Sequence, residues 1–287
     1  MSETIAIFGY GTIGRLVATT LLSRGGNVRI VQRTRPAALP AGASFMQCDV
    51  LNADAVRRAV RGVSQVLLAV SFPYDARVWR TAWPATMTNL LAACAETDAR
   101  IVFIDNLYQL GPQTEPRRED MPLSGVGQKP AILSEVTRLW MAARGRVRLA
   151  ALRCSDFYGP GVTVSHLGAA GFGRIAHGRP ALLLVPPDTA HDFAYVPDIA
   201  RAAVTLLDAP DDAIGRHGML MAVPLPLLRA LGLVWRFAQE VADVGFTFDR
   251  PYVVDASRFT NRFWSDVTPF EVGAAATIRS FLPQHAR

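Results

Sequence analysis

Along the first 150 residues, short apolar runs alternate with longer stretches in which apolar positions recur every three or four residues. The runs 5–8, 27–32, 43–48, 65–70, 100–104 and 147–152 read as six strands, several of them continuously hydrophobic, as strands buried on both faces are. The stretches between them read as helices. One carries Ile13, Leu16, Val17, Leu21 and Leu22 on a single stripe, and others cover 52–60, 79–96 and the residues up to Ala143. Strand and helix alternating through short links build a parallel sheet with helices on both sides. The fold class predicted is α/β, a Rossmann-type doubly wound parallel sheet, whose ligands sit at the carboxyl ends of the strands.

Beyond Arg153 the alternation weakens. Gly and Pro are frequent from 159 to 187, then a strand is predicted at 192–196 and a helix at 197–207. Residues 1–160 are therefore expected to form the nucleotide-binding domain, with 190–210 returning to it, while 161–189 and 211–287 form a smaller C-terminal substrate-binding region. The sequence Thr268-Pro269-Phe270-Glu271 predicts a helix start, with the Thr268 hydroxyl as cap and Pro269 in the first helical position.

Composition narrows the class. Half of the 287 residues are hydrophobic and 19% are charged, which suits a packed core and not a disordered chain. The net charge of +6 is diffuse, clustered only at 33–35 and 144–148, so an anionic small molecule accounts for it and no nucleic-acid partner is expected. The run 219–237 is broken by Pro224, Pro226, Arg229 and Gly232, too soon for a membrane span, and is expected to pack on the core. With no secretory leader, a cytoplasmic location is expected. Cys48, Cys94 and Cys154 are too few and scattered for a disulfide framework, and the five His include no helical pair, so no metal site is expected.

The first strand and helix enclose Gly9-Tyr10-Gly11-Thr12-Ile13-Gly14. In a dinucleotide site the first glycine makes the tight turn, the second admits a pyrophosphate, and the third lets helix and sheet approach, while the helix N-terminus faces the phosphates. At the end of the second strand, where an acidic residue would bind the ribose hydroxyls of NAD, stands Gln32, followed by Arg33, Thr34 and Arg35. A guanidinium matches a 2′-phosphate in charge and geometry, so NADP is expected in preference to NAD.

Several segments in order resemble the extended short-chain dehydrogenase/reductase superfamily, also called the NAD-dependent epimerase/dehydratase family. They are the glycine loop, Cys48-Asp49-Val50, Val102-Phe103-Ile104-Asp105-Asn106-Leu107-Tyr108, Arg153-Cys154-Ser155-Asp156-Phe157-Tyr158-Gly159-Pro160-Gly161, and Asp192-Phe193-Ala194-Tyr195-Val196-Pro197-Asp198. The resemblance implies that Asp49 and Val50 lie by the adenine, that Ala69 and Val70 line the nicotinamide ribose, and that Asp156 and Phe157 face the nicotinamide. It also implies a homodimer through the helices flanking the fourth and fifth strands.

The family's Tyr-x-x-x-Lys is missing. Its Tyr would fall near Val126 or Gly127 and its Lys near Pro130 or Ala131, with Lys129 the only base at hand and Asn106 in the place of the family's Ser or Thr. Tyr108 is the candidate proton donor in its stead, with Lys129 to bond the ribose or to lower the Tyr108 pKa. The Arg with which sugar-nucleotide enzymes grip a diphosphate is replaced by His191. Phe72, Tyr74, Trp79, Phe157, His166 and Phe172 are candidates to flank the cleft, which suggests an apolar or aromatic small molecule as substrate. His166 and His191 are titratable candidates on that side. These signals point to an NADP-dependent oxidoreductase acting on a small, non-nucleotide carbonyl or enone. The alternatives are a non-enzymatic NADP-binding redox sensor of the NmrA-like kind, and a sugar-nucleotide epimerase or isomerase using the cofactor transiently.

Overall fold

A computed structural model describes residues 3–186, 188–211, 219–221 and 243–283. Its main sheet comprises β1 (Thr4–Phe8), β2 (Asn27–Gln32), β3 (Ala43–Gln47), β4 (Gln65–Leu68), β5 (Arg100–Asp105), β6 (Leu149–Cys154) and the strand Met219–Met221. Every pairing in it is parallel. From one edge to the other the order is β3-β2-β1-β4-β5-β6, ending on Met219–Met221 beside β6. The sequence had suggested six strands. The seventh lies in the stretch assigned to the substrate side, and it extends the nucleotide-binding sheet instead.

The helices α1 (Thr12–Ser23), α2 (Ala53–Val60), α3 (Ala76–Thr97) and α4 (Gln128–Ala142) follow in turn. The short α5 (Arg174–Ala176) and α6 (Val196–Asp208) come after β6. Alternation along each strand divides the core in two. In β1, Ala6 and Phe8 pack with α2, α3 and α4, while Ile5 and Ile7 pack with α1 and α6. In β5, Phe103 joins the first layer and Val102 the second. Such a strand must be apolar at every position, which is why these runs stand out in the sequence.

Several boundaries moved, among them the end of β4, which stops at Leu68 and not at residue 70. The sixth strand begins at Leu149, two residues late, and α3 begins at Ala76, capped by the Asp75 carboxylate, which accepts from the Arg77 amide at 2.8 Å. The predicted C-terminal cap is also corrected. The last helix, α8 (Phe270–Ser280), follows α7 (Ser257–Arg262), and no side chain caps its start. The Thr268 hydroxyl and amide both donate at 2.9 Å to the carboxylate of Asp198 in the first turn of α6, because a buried carboxylate needs donors more than a helix end in water does. The run 219–237, expected to pack on the core, lies mostly outside the described residues.

A second, two-stranded parallel sheet, β7 (Asp156–Tyr158) with β8 (Phe193–Tyr195), stands just past the carboxyl end of β6. Its register sets Asp156 opposite Phe193. Two isolated bridges continue it, pairing His191 with Tyr252 and Arg117 with Val254.

Candidate active site

The glycine loop has the geometry its sequence requires. Gly9 turns with φ +96°, and a Cβ there would lie 2.5 Å from the Ala69 carbonyl oxygen; one on Gly14 would lie 2.1 Å from the Gly9 oxygen. A Cβ on Gly11 would meet no protein atom within 4 Å, which leaves that backbone open to a ligand. The amino end of α1 has no side-chain cap, so Tyr10, Thr12 and Ile13 frame an uncapped helix N-terminus. The Thr12 hydroxyl donates to the Gly161 carbonyl at 3.2 Å and ties this loop to the segment after β7. Ala69 closes the other wall, its amide donating to the Phe8 carbonyl at 2.8 Å, with Val70 packed on the α3 side.

At the end of β2, the Gln32 carboxamide accepts from the Tyr10 amide at 3.2 Å and donates to the Thr34 carbonyl at 2.6 Å. It acts as a brace for the loop. Arg33, Thr34 and Arg35 are exposed, with the Arg35 guanidinium 5.4 Å over the Phe45 ring. Asp49 is exposed and its carboxylate accepts from the Leu51 amide, while the Val50 carbonyl accepts from Asn89.

Of the substrate-side candidates, the structure brings Tyr74, Tyr108, Asp156, His166 and His191 together. The Tyr74 hydroxyl donates to that of Tyr108 at 3.4 Å. Tyr108 opens a single 3-10 turn past β5, set by Asn106, whose carboxamide oxygen accepts from the Tyr108 amide at 3.0 Å. Asn106 thus shapes the turn. Beneath it, buried Asp105 accepts from Arg153 at 3.1 Å and from Gln109 at 2.9 Å. Burial, with Tyr74, Asp156 and Tyr252 around it, pushes the Tyr108 phenol well above its ordinary range. That corrects one expectation, since Lys129 does not lower it. Lys129 is fully buried in α4, with its ammonium 4.3 Å over the Tyr74 ring and 5.9 Å over that of Trp79.

Asp156 Oδ2 lies 2.8 Å from His191 Nε2 and 3.8 Å from His166 Nε2. Burial opposes ionisation of Asp156, but the His191 hydrogen bond and the charges of His166, His191 and Arg117 outweigh it, and the pKa falls below the usual carboxylate value. Burial holds His166 below the usual imidazole value despite Asp156. His191 packs against Phe193, Phe248 and Tyr252, with ring centroids 4.6, 6.3 and 4.9 Å away. The Arg117 guanidinium is 4.0 Å from the Tyr252 ring centre.

Two aromatic candidates, Phe172 and Trp79, are buried in the core, and a third, Phe72, is half-buried against it. Phe172 packs with Tyr158 and Phe270, Trp79 is buried with its indole N–H donating to the Pro73 carbonyl, and Phe72 sits edge-on to Trp83. Each fills a gap between elements that the linear pattern does not show as neighbours. Phe157 is half-buried against the α1 and α6 layer. Sequence reasoning missed Arg117, Phe248 and Tyr252, which come from loops with no motif: the bridges to Val254 and His191 bring in Arg117 and Tyr252, and Phe248 enters by ring contacts with His166 and His191.

The family model of the NAD dependent epimerase/dehydratase family matches residues 5–219, three quarters of the chain. The chain belongs to that family. This makes it an NAD(P)-dependent enzyme by descent, and its parallel sheet is the one found in solved family structures. The Bordetella bronchiseptica enzyme WbmH in complex with NAD+ is 19% identical, with 98% of each chain covered and a TM-score of 0.76. The UDP-glucuronic acid 4-epimerase from Bacillus cereus, with UDP-glucuronic acid and NAD, is 16% identical over 97% of this chain and 99% of that one, TM-score 0.78. The UDP-glucose 4-epimerase from Thermotoga maritima with UDP-glucose is 15% identical over 97% and 98%, TM-score 0.76. No curated protein matched the chain. Among the described residues no helix is long and apolar enough to cross a membrane.

Proposed function

We propose that this protein transfers hydride between a bound nicotinamide dinucleotide and the carbonyl or activated alkene of a small, non-nucleotide substrate, with Tyr108 giving or taking the proton. The observation that carries this reading is the Tyr108–Tyr74 phenol pair at the carboxyl edge of β5, beside the open glycine cradle. Hydride arriving at a carbonyl carbon leaves an alkoxide, which is basic enough to draw a proton even from a phenol with a raised pKa. The hydrogen bond from Tyr74 fixes the position of the Tyr108 hydroxyl for that transfer. Lys129 holds Tyr74 in place from behind its ring. The raised pKa suits reduction better than the reverse step, where the phenol would have to act as a base.

NADP is the cofactor we favour, on the exposed Arg33 and on Gln32, whose carboxamide is engaged with the backbone and offers no carboxylate to a ribose. The test is consumption of NADPH in a screen of ketones and enones, repeated with Tyr108→Phe. Undiminished turnover in that variant would reject Tyr108. A second reading, sugar-nucleotide epimerisation, is favoured by the likeness to the Bacillus cereus UDP-glucuronic acid 4-epimerase and the Thermotoga maritima UDP-glucose 4-epimerase. It predicts that UDP-sugars interconvert without net NADPH loss and that cofactor stays bound through purification.

A further inference from the structure

We infer that Asp243 is a positioning residue for the Tyr74–Tyr108 pair, acting through the start of α4 and the lysine buried there. The inference deepens the oxidoreductase reading, on which its kinetic consequence rests. Of the 30 Lys and Arg residues in the chain, Lys129 is the only lysine. It is also fully buried, with its ammonium against the Tyr74 ring. An ammonium is compact enough to stand over one ring in a packed interior, where the planar guanidinium fork needs wider space and more acceptors. Whatever places that ammonium decides how Tyr74 meets Tyr108.

Asp243 does so from outside the helix. The residue at the N-cap of α4, Gly127, has no side chain to offer. The two oxygens of Asp243 take that place: Oδ1 accepts from the Gln128 amide at 2.6 Å and Oδ2 from the Lys129 amide at 2.7 Å. Short bonds from amides to a charged carboxylate, made at the positive end of a helix, are strong ones. The fit is also close. Gly127 has φ +95°, and a Cβ there would lie 2.6 Å from the Asp243 carbonyl oxygen. Lys129 is thereby fixed at its own backbone.

The residues that follow Asp243 grip the tyrosines themselves. Val244, Phe246 and Phe248 are buried with Val185 in one apolar cluster, and Tyr74 and Tyr108 pack against it. The turn Gly245–Thr247 is stiffened by Thr247, whose amide and hydroxyl both donate to the Val244 carbonyl at 2.9 Å. One short segment thus fixes the first turn of α4 and supports both phenol rings. Without the Asp243 carboxylate, two amides of that turn lose their acceptor, one of them in a residue with no exposed surface. The turn then opens, Lys129 leaves the Tyr74 ring, and the hydrogen bond between Tyr74 and Tyr108 loses its alignment.

The test uses the full chain and its single ε-amine. Trinitrobenzenesulfonate, with the modified peptide read by mass spectrometry, should leave Lys129 unlabelled in the wild type and label it about tenfold or more faster in Asp243→Ala. Asp243→Asn, which keeps one acceptor oxygen, should fall between the two. In the screen of ketones and enones with NADPH, Asp243→Ala should lower kcat about tenfold to hundredfold with KM and NADPH affinity unchanged, because the proton donor is misaligned while the binding surfaces stay. Asp243→Asn should recover part of that loss. Lys129→Arg should lower kcat similarly, and adding Asp243→Ala to it should have no further effect, since both act through one series of contacts. A freely labelled Lys129 in the wild type overturns the inference without requiring any variant to fold. So does an Asp243→Ala protein whose labelling or kcat is unchanged, or whose loss lies in KM. Absence of turnover in the wild type would instead refute the oxidoreductase reading, and the labelling rates alone then uphold or overturn the placement of Lys129 by Asp243.

Discussion

The nucleotide cradle and the tyrosine–carboxylate cluster share the carboxyl edge of one sheet but are built of different material. The cradle is backbone: Gly9, Gly11 and Gly14 lie within six consecutive residues, and its walls are amides and carbonyls whose positions follow from β1, α1 and β4. The cluster is side chains, drawn from Tyr74, Tyr108, Arg117, Asp156, His166, His191, Phe248 and Tyr252, which are spread from residue 74 to residue 252. A backbone site tolerates sequence change wherever no side chain enters it. A side-chain site survives only if each of its distant supports does.

The sharpest way to break this contrast is Gly14→Val. With its Cβ 2.1 Å from the Gly9 oxygen, the valine must push strand from helix, and roughly 3 kcal/mol or more of stability is lost, visible as a collapse of the thermal melt. A normal melt would show that the cradle is looser than described. Next comes Asp105→Ala, which strands Arg153 in a site where both side chains are 3% exposed and should destabilise by about 3–5 kcal/mol in denaturant titration. Because Asp105 also supports the Tyr108 turn, it joins the fold to the cluster. Third, Tyr108→Phe should lower turnover by about 10²–10⁴-fold while dinucleotide affinity stays put, separating the two regions cleanly.

Smaller effects sharpen the cradle. Gly11→Ala, having no protein atom to strike, should melt like the wild type yet bind dinucleotide about tenfold or more weakly, as read by titration. Arg33→Ala should weaken NADPH about fivefold to tenfold and leave NADH alone; equal losses for both would assign the arginine to the loop surface. The smallest response is expected from the thiols. Burial pushes Cys48 up to about 11 and Cys94 up to about 12, and raises Cys154 as well, so all three stay protonated and resist iodoacetamide at pH 8 in the folded protein. Labelling under native conditions would mean that the core opens.

The legibility of the chain follows the same division. The strands β1, β4 and β5 could be read because burial on both faces keeps nearly every position apolar, and the glycine loop because steric contact forbids a Cβ at Gly9 and Gly14. The strand Met219–Met221 escaped, being three residues long inside an apolar stretch with no period of its own. Thr268 was misread as a cap because its sequence context is that of a helix start, while its true partner, Asp198, lies 70 residues away. Phe172 and Trp79 were placed in the cleft because an aromatic side chain looks alike in a core and at a ligand.

The sequence by itself determined the parallel sheet, the cradle for a dinucleotide and the loss of the family's Tyr and Lys, since each depends on residues close together in the chain. Tertiary structure decided that Lys129 is buried behind Tyr74, that Asn106 shapes a turn, and that Asp156 meets His191, Tyr252 and Arg117. Those pairings depend on β7 register and two bridges between remote segments, and one residue of slip would turn the side chains concerned to the opposite face.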